Sequence, residues 1–222
     1  MIPTEADAPA PHPGLAERVR TATAAEHQDT ENRSFMTQLM GGELTLADYV
    51  TYLAQFAYVY RALESRVAQP GDPEFLGDPA LARAACIESD LAALGAADWE
   101  TSHPALPATA AYAARLLEVG QGDLPRYAAH HYTRYLGDMS GGQAIAKLVA
   151  RYYGATPDQL AFYDFAEVPS TVRYKRAYRE NLDALPFDEA QAQAMIDEAK
   201  AAFGYNGDIF NALGEATPAQ AR

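Results

Sequence analysis

The stretch Tyr132-Thr133-Arg134-Tyr135-Leu136-Gly137-Asp138-Met139-Ser140-Gly141-Gly142-Gln143 constrains this chain more than any other. It lies inside residues 125–153, whose pattern otherwise predicts one long helix. Each glycine in a helix interior costs about 1 kcal/mol relative to alanine. The set therefore costs roughly 2–3 kcal/mol, against a usual stability of about 5–15 kcal/mol. A backbone without Cβ atoms can bend, or approach a flat object closely. Two readings follow. Gly137 and Gly141, four apart, can form a close helix–helix seam, or the run can lie over a ligand. Asp138 favours the second, because a packing seam is apolar and this residue sits between the glycines.

The remaining pattern is helical. Helices are predicted over 15–30, 35–40, 45–69, 80–94, 108–119, 170–185 and 188–213. Gly41-Gly42 reads as a stop, Thr45 and Ser170 as N-caps, and Pro186 as a terminator. Leu46, Tyr49, Leu53, Phe56, Tyr60, Leu63 and Val67 alternate steps of three and four, which makes a core seam. A buried Tyr60 with a satisfied hydroxyl is expected there, or one that reaches a ligand pocket. The aromatic-rich residues 160–168 read as a packed short helix or loop. No strand alternation, internal repeat or linker interrupts residues 15–213. The expectation is an all-α, single-domain multi-helix bundle over 15–213. Residues 1–14, with four prolines and no Lys or Arg, read as a disordered lead rather than a signal peptide, and 214–222 as a flexible tail.

Composition narrows the function. A net charge of −13 argues against a nucleic-acid partner, which needs a basic face. The single cysteine, Cys86, excludes an internal disulfide and a multi-cysteine metal cluster, and fits a reducing compartment. No apolar run approaches the ~18 residues that span a bilayer. A soluble, cytoplasmic protein without a membrane partner is expected.

Against that acidic background two groups of side chains stand out. Arg20, Thr23, Ala24, His27 and Glu31 share one helical stripe, apart from the apolar stripe near Leu15, Val19 and Ala22. His27 therefore looks toward something other than core. Glu31, one turn on, can take the second ring N–H, the usual outer-shell arrangement for a metal-bound histidine; a surface His–Glu pair is the plainer reading. Arg173, Lys175, Arg176 and Arg179 form a basic cluster with no acid among residues 171–179. It is either a solvated face or a surface for anions. His130 and His131 are rival metal ligands, or structural residues two turns before the glycines.

The run YTRYLGDMSGGQ resembles the distal-helix signature of the heme oxygenases, and the resemblance extends over roughly residues 15–213. It implies that His27 is the axial iron ligand and that Arg20, Lys175 and Arg179 grip the heme propionates. Many relatives carry lysine where this chain has Arg20; the charge is kept. Glu31, Asn32, Phe35 and Met36 continue the match. Tyr132 and Arg134 fall where the family approaches the heme edge, and Phe203, Asn206 and Phe210 fall near its pocket. The implied fold holds heme between a proximal helix and a kinked distal helix. The implied reaction is oxidative opening of heme to biliverdin, carbon monoxide and ferrous iron. Heme b is both cofactor and substrate, O2 is consumed, and electrons come from an external reductant such as a ferredoxin or flavin reductase. Gly137, Gly141 and Gly142 would let backbone lie over the ring, and Asp138 would organise waters that supply protons.

Overall fold

A computed structural model describes residues 13–217. The chain forms helices α1 (Leu15–Ala22), α2 (Ala24–Glu31), α3 (Ser34–Gly41), α4 (Leu46–Glu64), α5 (Ala84–Ala93), α6 (Trp99–Ser102), α7 (Pro107–Val119), α8 (Leu124–Gly137), α9 (Gln143–Tyr153), α10 (Thr171–Asp183) and α11 (Glu189–Ala216). Among the described residues there is no strand. The expected disordered lead falls almost wholly outside the described residues, as does most of the expected tail; Gly214 to Ala216 continue α11.

Local chemistry sets the helix ends. The Thr45 side chain accepts from the Asp48 N–H while the Asp48 carboxylate accepts from the Thr45 N–H, closing a capping box at α4. Ser170 caps α10 by accepting from the Arg173 N–H. Gly42 adopts φ +75° and ends α3 in the left-handed conformation. There the seated Tyr152 ring leaves no room for a Cβ.

Three expected boundaries move. The helix predicted over 15–30 breaks at Thr23 (φ −105°, ψ 6°), whose hydroxyl donates to the Val19 carbonyl at 2.8 Å. Arg20 and His27 thus stand on two helices, and the continuous stripe does not exist. The helix predicted over 45–69 stops at Glu64, so Val67 is 75% exposed instead of closing the seam. The helix predicted over 80–94 starts at Ala84, preceded by a 3-10 turn at Pro79–Leu81.

The long α11 is the spine. Its 28 residues reach about 42 Å at 1.5 Å per residue. It packs along α8 and also meets α1, α2, α3 and α7; α4 packs on α5 and α7. Tyr49, Leu53, Phe56, Tyr60 and Leu63 of α4 are fully buried, as the seam requires. Phe162, Tyr163, Phe165 and Val168 are buried in the connection before α10, two of them in a 3-10 turn. The decisive arrangement is that α2 and α8 each pack extensively on α11.

Candidate functional site

The glycine run forms one π-helical turn, Asp138–Gly142, between α8 and α9. Widened turns of this kind mark helix kinks and recur at functional sites. Gly137, Ser140, Gly141 and Ala144 all lie exposed on one face. An ideal Cβ at Gly137 or Gly141 would meet no heavy atom within 4 Å. The helix–helix seam reading fails on this point, because no neighbour is packed against them. Gly142 differs: it is buried, and a Cβ there would stand 3.0 Å from the Tyr163 ring. It lets the turn settle on the core and does not line the open face.

Asp138 does not present its carboxylate to that face either. Its side chain is 11% exposed and turns inward. One oxygen accepts from Arg134 Nη2 at 3.1 Å and the other from the Tyr60 hydroxyl. Burial raises the Asp138 pKa, and the Arg134 charge opposes the rise. Arg134 is buried too. It donates to Asn206 Oδ1 at 2.7 Å and to the Tyr60 hydroxyl at 3.2 Å, and its guanidinium stacks over Phe56 at 4.7 Å. The expectation that Arg134 meets a propionate is therefore corrected: its donors are spent inside the core, fixing Asp138. Tyr60 joins this cluster, and only its place in the apolar seam of α4 signalled it.

His27 stands on α2, a helix with no buried residue. Its side chain is half exposed. Glu31 Oε2 lies 3.4 Å from Nδ1, while Nε2 has no partner among the described residues. The ring meets Phe203 of α11 edge-on at 5.5 Å. Three residues further along α11, Asn206 holds Arg134. One turn of the spine thus sets the imidazole on one side and the glycine-run cluster on the other.

Cations gather along one edge. Lys175 donates to Ser140 Oγ at 2.9 Å, which brings α10 against the exposed face of the π turn. The Lys175 pKa is lowered, first by burial and then by the neighbouring Arg179 charge. Tyr132 is buried; burial raises its pKa, and the Arg179 and Arg20 charges oppose the rise. Arg20 is exposed and chelated by Glu17 at 2.6 and 3.0 Å. The edge therefore assembles Arg20, Tyr132, Lys175 and Arg179 from three helices.

The two rival histidines lie in the core with side-chain partners of their own. His130 is fully buried between Glu198 Oε1 at 2.9 Å and the Tyr112 hydroxyl at 3.3 Å. His131 faces the Tyr178 hydroxyl at 2.8 Å, and burial drives its pKa down to about 3. Among the described residues no group of three or more His, Cys, Asp or Glu is set to hold a bare metal ion. An imidazole with its Nε2 unpartnered among the described residues, a bare backbone face and a cationic edge fit a flat, anion-tailed metal macrocycle.

Fold and site together define an all-α protein that can hold such a ring between a one-histidine helix and a glycine-bearing helix. The chain belongs to the heme oxygenase family, whose sequence model matches residues 13–212. Heme oxygenase 1 of Nostoc is 34% identical over 203 residues, covering 90% of this chain and 85% of that one. Human heme oxygenase 1 is 33% identical over 208 residues, covering 90% and 72%. The crystal structure of heme oxygenase-1 from Synechocystis in complex with heme superposes with a TM-score of 0.85 at 31% identity, covering 92% of this chain and 94% of the other. The structure of heme oxygenase from Leptospira interrogans gives a TM-score of 0.83 at 30% identity, covering 89% and 98%.

Proposed function

We propose that this chain binds heme between α2 and the glycine-bearing turn and opens it to biliverdin, carbon monoxide and ferrous iron. The observation that carries the reading is the open face of Gly137 and Gly141, in a family member whose His27 Nε2 has no partner among the described residues. Heme, when bound, is the substrate and also the group that activates O2 with electrons from a reductant.

In this reading His27 would hold the heme iron through Nε2, the ring nitrogen turned away from Glu31. Glu31, an acceptor near Nδ1, favours the tautomer that leaves the Nε2 lone pair free. Phe203 braces the imidazole through an edge-on ring contact. Lys175, Arg179, Tyr132 and Arg20 hold the propionates, which fixes the rotation of the macrocycle and therefore the edge attacked. Arg20 exchanges Glu17 for a propionate; its present partner is exposed and weakly held. Gly137 and Gly141 let the backbone lie against the ring face. Asp138, pinned behind the glycines by Arg134 and Tyr60, would order the water that serves as proton source. A firmly held carboxylate behind the glycines suits slow, water-borne protonation.

An external electron donor completes the reading. Arg173 and Arg176 extend the cationic edge outward on α10, Arg176 beside its Glu180 partner at 2.8 Å. They suit an acidic partner such as a ferredoxin, or a flavin reductase. Among the described residues no helix is long and apolar enough to cross a membrane; cytoplasmic location is part of the proposal and rests on composition.

The test is spectroscopic. Purified protein mixed with heme should give a one-to-one Soret complex, which reductant and O2 convert to a verdin spectrum. Heme retained intact under those conditions would instead identify a carrier or sensor. A failed titration would remove heme from the picture.

A further inference from the structure

On the exposed face of the π turn, Gly137, Gly141 and Ala144 carry no polar side chain, and Ser140 does. Helix stability does not call for it. Alanine is the better helix former, and Ala144 already stands on this face. A serine hydroxyl turned back on its own helix adds no stability either. The Ser140 hydroxyl donates to the Leu136 carbonyl at 2.6 Å. That bond uses its proton, fixes its rotamer and leaves the oxygen lone pairs to accept. Lys175 of α10 donates to this oxygen at 2.9 Å.

The neutrality of that acceptor matters. On the same edge Arg20 is held by Glu17 and Arg176 by Glu180. A carboxylate neutralises the cation it holds and competes with any arriving anion. A hydroxyl fixes the ammonium and leaves its charge unspent. The charge acting on Lys175 has its own sign: burial first, and then Arg179, lower its pKa. Arg179 stands one turn along α10 and donates to the Lys175 carbonyl at 3.4 Å. An ammonium has three donors, so the bond to Ser140 leaves others free. A lysine stem is long and rich in rotamers. Once seated, it has less freedom to lose when an anion binds.

We propose that Ser140 is a positioning residue for the oxygenase reaction: it seats the Lys175 ammonium against the π turn, ready for one heme propionate. The turn that offers bare backbone to the ring thereby also sets where a propionate is gripped. Ring rotation and the placement of the turn are coupled through one side chain, which sharpens the choice of the edge attacked.

The inference rests on heme binding as proposed above, and the experiment separates the two. Soret titrations are run with heme and with heme dimethyl ester, which has no free carboxylate. The proteins are the wild type, Ser140→Ala, Lys175→Met and Ser140→Ala/Lys175→Met, each checked for helix content by circular dichroism. Ser140→Ala should fold, because the position is exposed and alanine favours helix. It should weaken heme binding about three- to tenfold, the cost of ordering one free lysine. It should leave the affinity for the dimethyl ester unchanged, and should have no effect when Lys175 is already methionine. The biliverdin it forms should contain a severalfold larger share of minor isomers than that of the wild type. An equal loss for heme and its ester would mean that Ser140 serves the backbone through Leu136, and would overturn the proposal. The same follows from an equal loss with and without Lys175. Heme affinity and isomer composition both unchanged in Ser140→Ala would also overturn it and leave heme binding standing. Absence of a Soret complex in the wild type would remove both.

Discussion

Replacing Gly137 by alanine should stabilise the apoprotein and weaken its hold on heme. Gly137 has φ −61° and ψ −52°, ordinary helical values that alanine adopts without strain. The added Cβ would meet nothing within 4 Å. The gain is therefore the helix-propensity difference, about 0.8–1 kcal/mol, which raises the midpoint of thermal unfolding by about 2–4 °C for a chain of this size. Gly141→Ala faces equally open space and should add a similar increment. Gly142→Ala should not, since its Cβ would press on the Tyr163 ring at 3.0 Å and the ring would have to move. Heme binding should change in the opposite sense. A methyl group on the ring-facing surface acts as overpacking, which costs about 1–3 kcal/mol and weakens affinity about 5- to 150-fold at 1.4 kcal/mol per tenfold. Circular-dichroism melts of apoprotein read the first effect, and Soret titrations read the second. A lower apoprotein midpoint in Gly137→Ala would mean the glycine is packed after all. A raised midpoint with unchanged heme affinity would mean the open face is not where heme lies.

The remaining expectations touch other parts of the site. His27→Ala should abolish verdin formation while the cationic edge still retains some heme, and added imidazole should restore the ligated Soret band; full turnover in the variant would remove His27 from its role. Asp138→Leu strands the buried Arg134 charge and should cost about 3 kcal/mol in denaturant unfolding, whereas Arg134→Met/Asp138→Leu should recover much of the loss; a double variant no more stable than the single would contradict the pairing. Glu198 is held down to about pKa 2 because Arg115 and His130 outweigh its burial. A depressed carboxylate contributes stability above its unfolded pKa of about 4.3, which is lost as pH falls through the folded value. The stability difference between wild type and Glu198→Gln, roughly 3 kcal/mol at neutral pH, should therefore shrink from about pH 4.5 down to about pH 2, and a pH-independent difference would refute it.

Much of this was legible in the residues because it depends on neighbours along the chain. The Thr45 and Ser170 caps, the Gly42 stop and the α4 seam are local signals, and each appears where its chemistry puts it. The break at Thr23 was not legible: a threonine inside a helical stripe is neutral until its hydroxyl turns back to Val19. Val67 fitted the seam's spacing, but spacing does not say where a helix loses its partners. Arg134 had the right place in the motif for an anion contact, and nothing along the sequence says whether an arginine points out or in.

The sequence by itself determined that the chain is helical, that one helix carries a costly glycine run around an aspartate, and that a lone histidine and four cations stand on other helices. Tertiary structure decided what those groups face. α11 places Phe203 against His27 and Asn206 against Arg134, while Asp138 turns inward and Gly137 and Gly141 stay bare. The reason is physical: caps and periodicity act over one or two turns, whereas the direction of a side chain at the open face is settled by packing against helices far away in sequence.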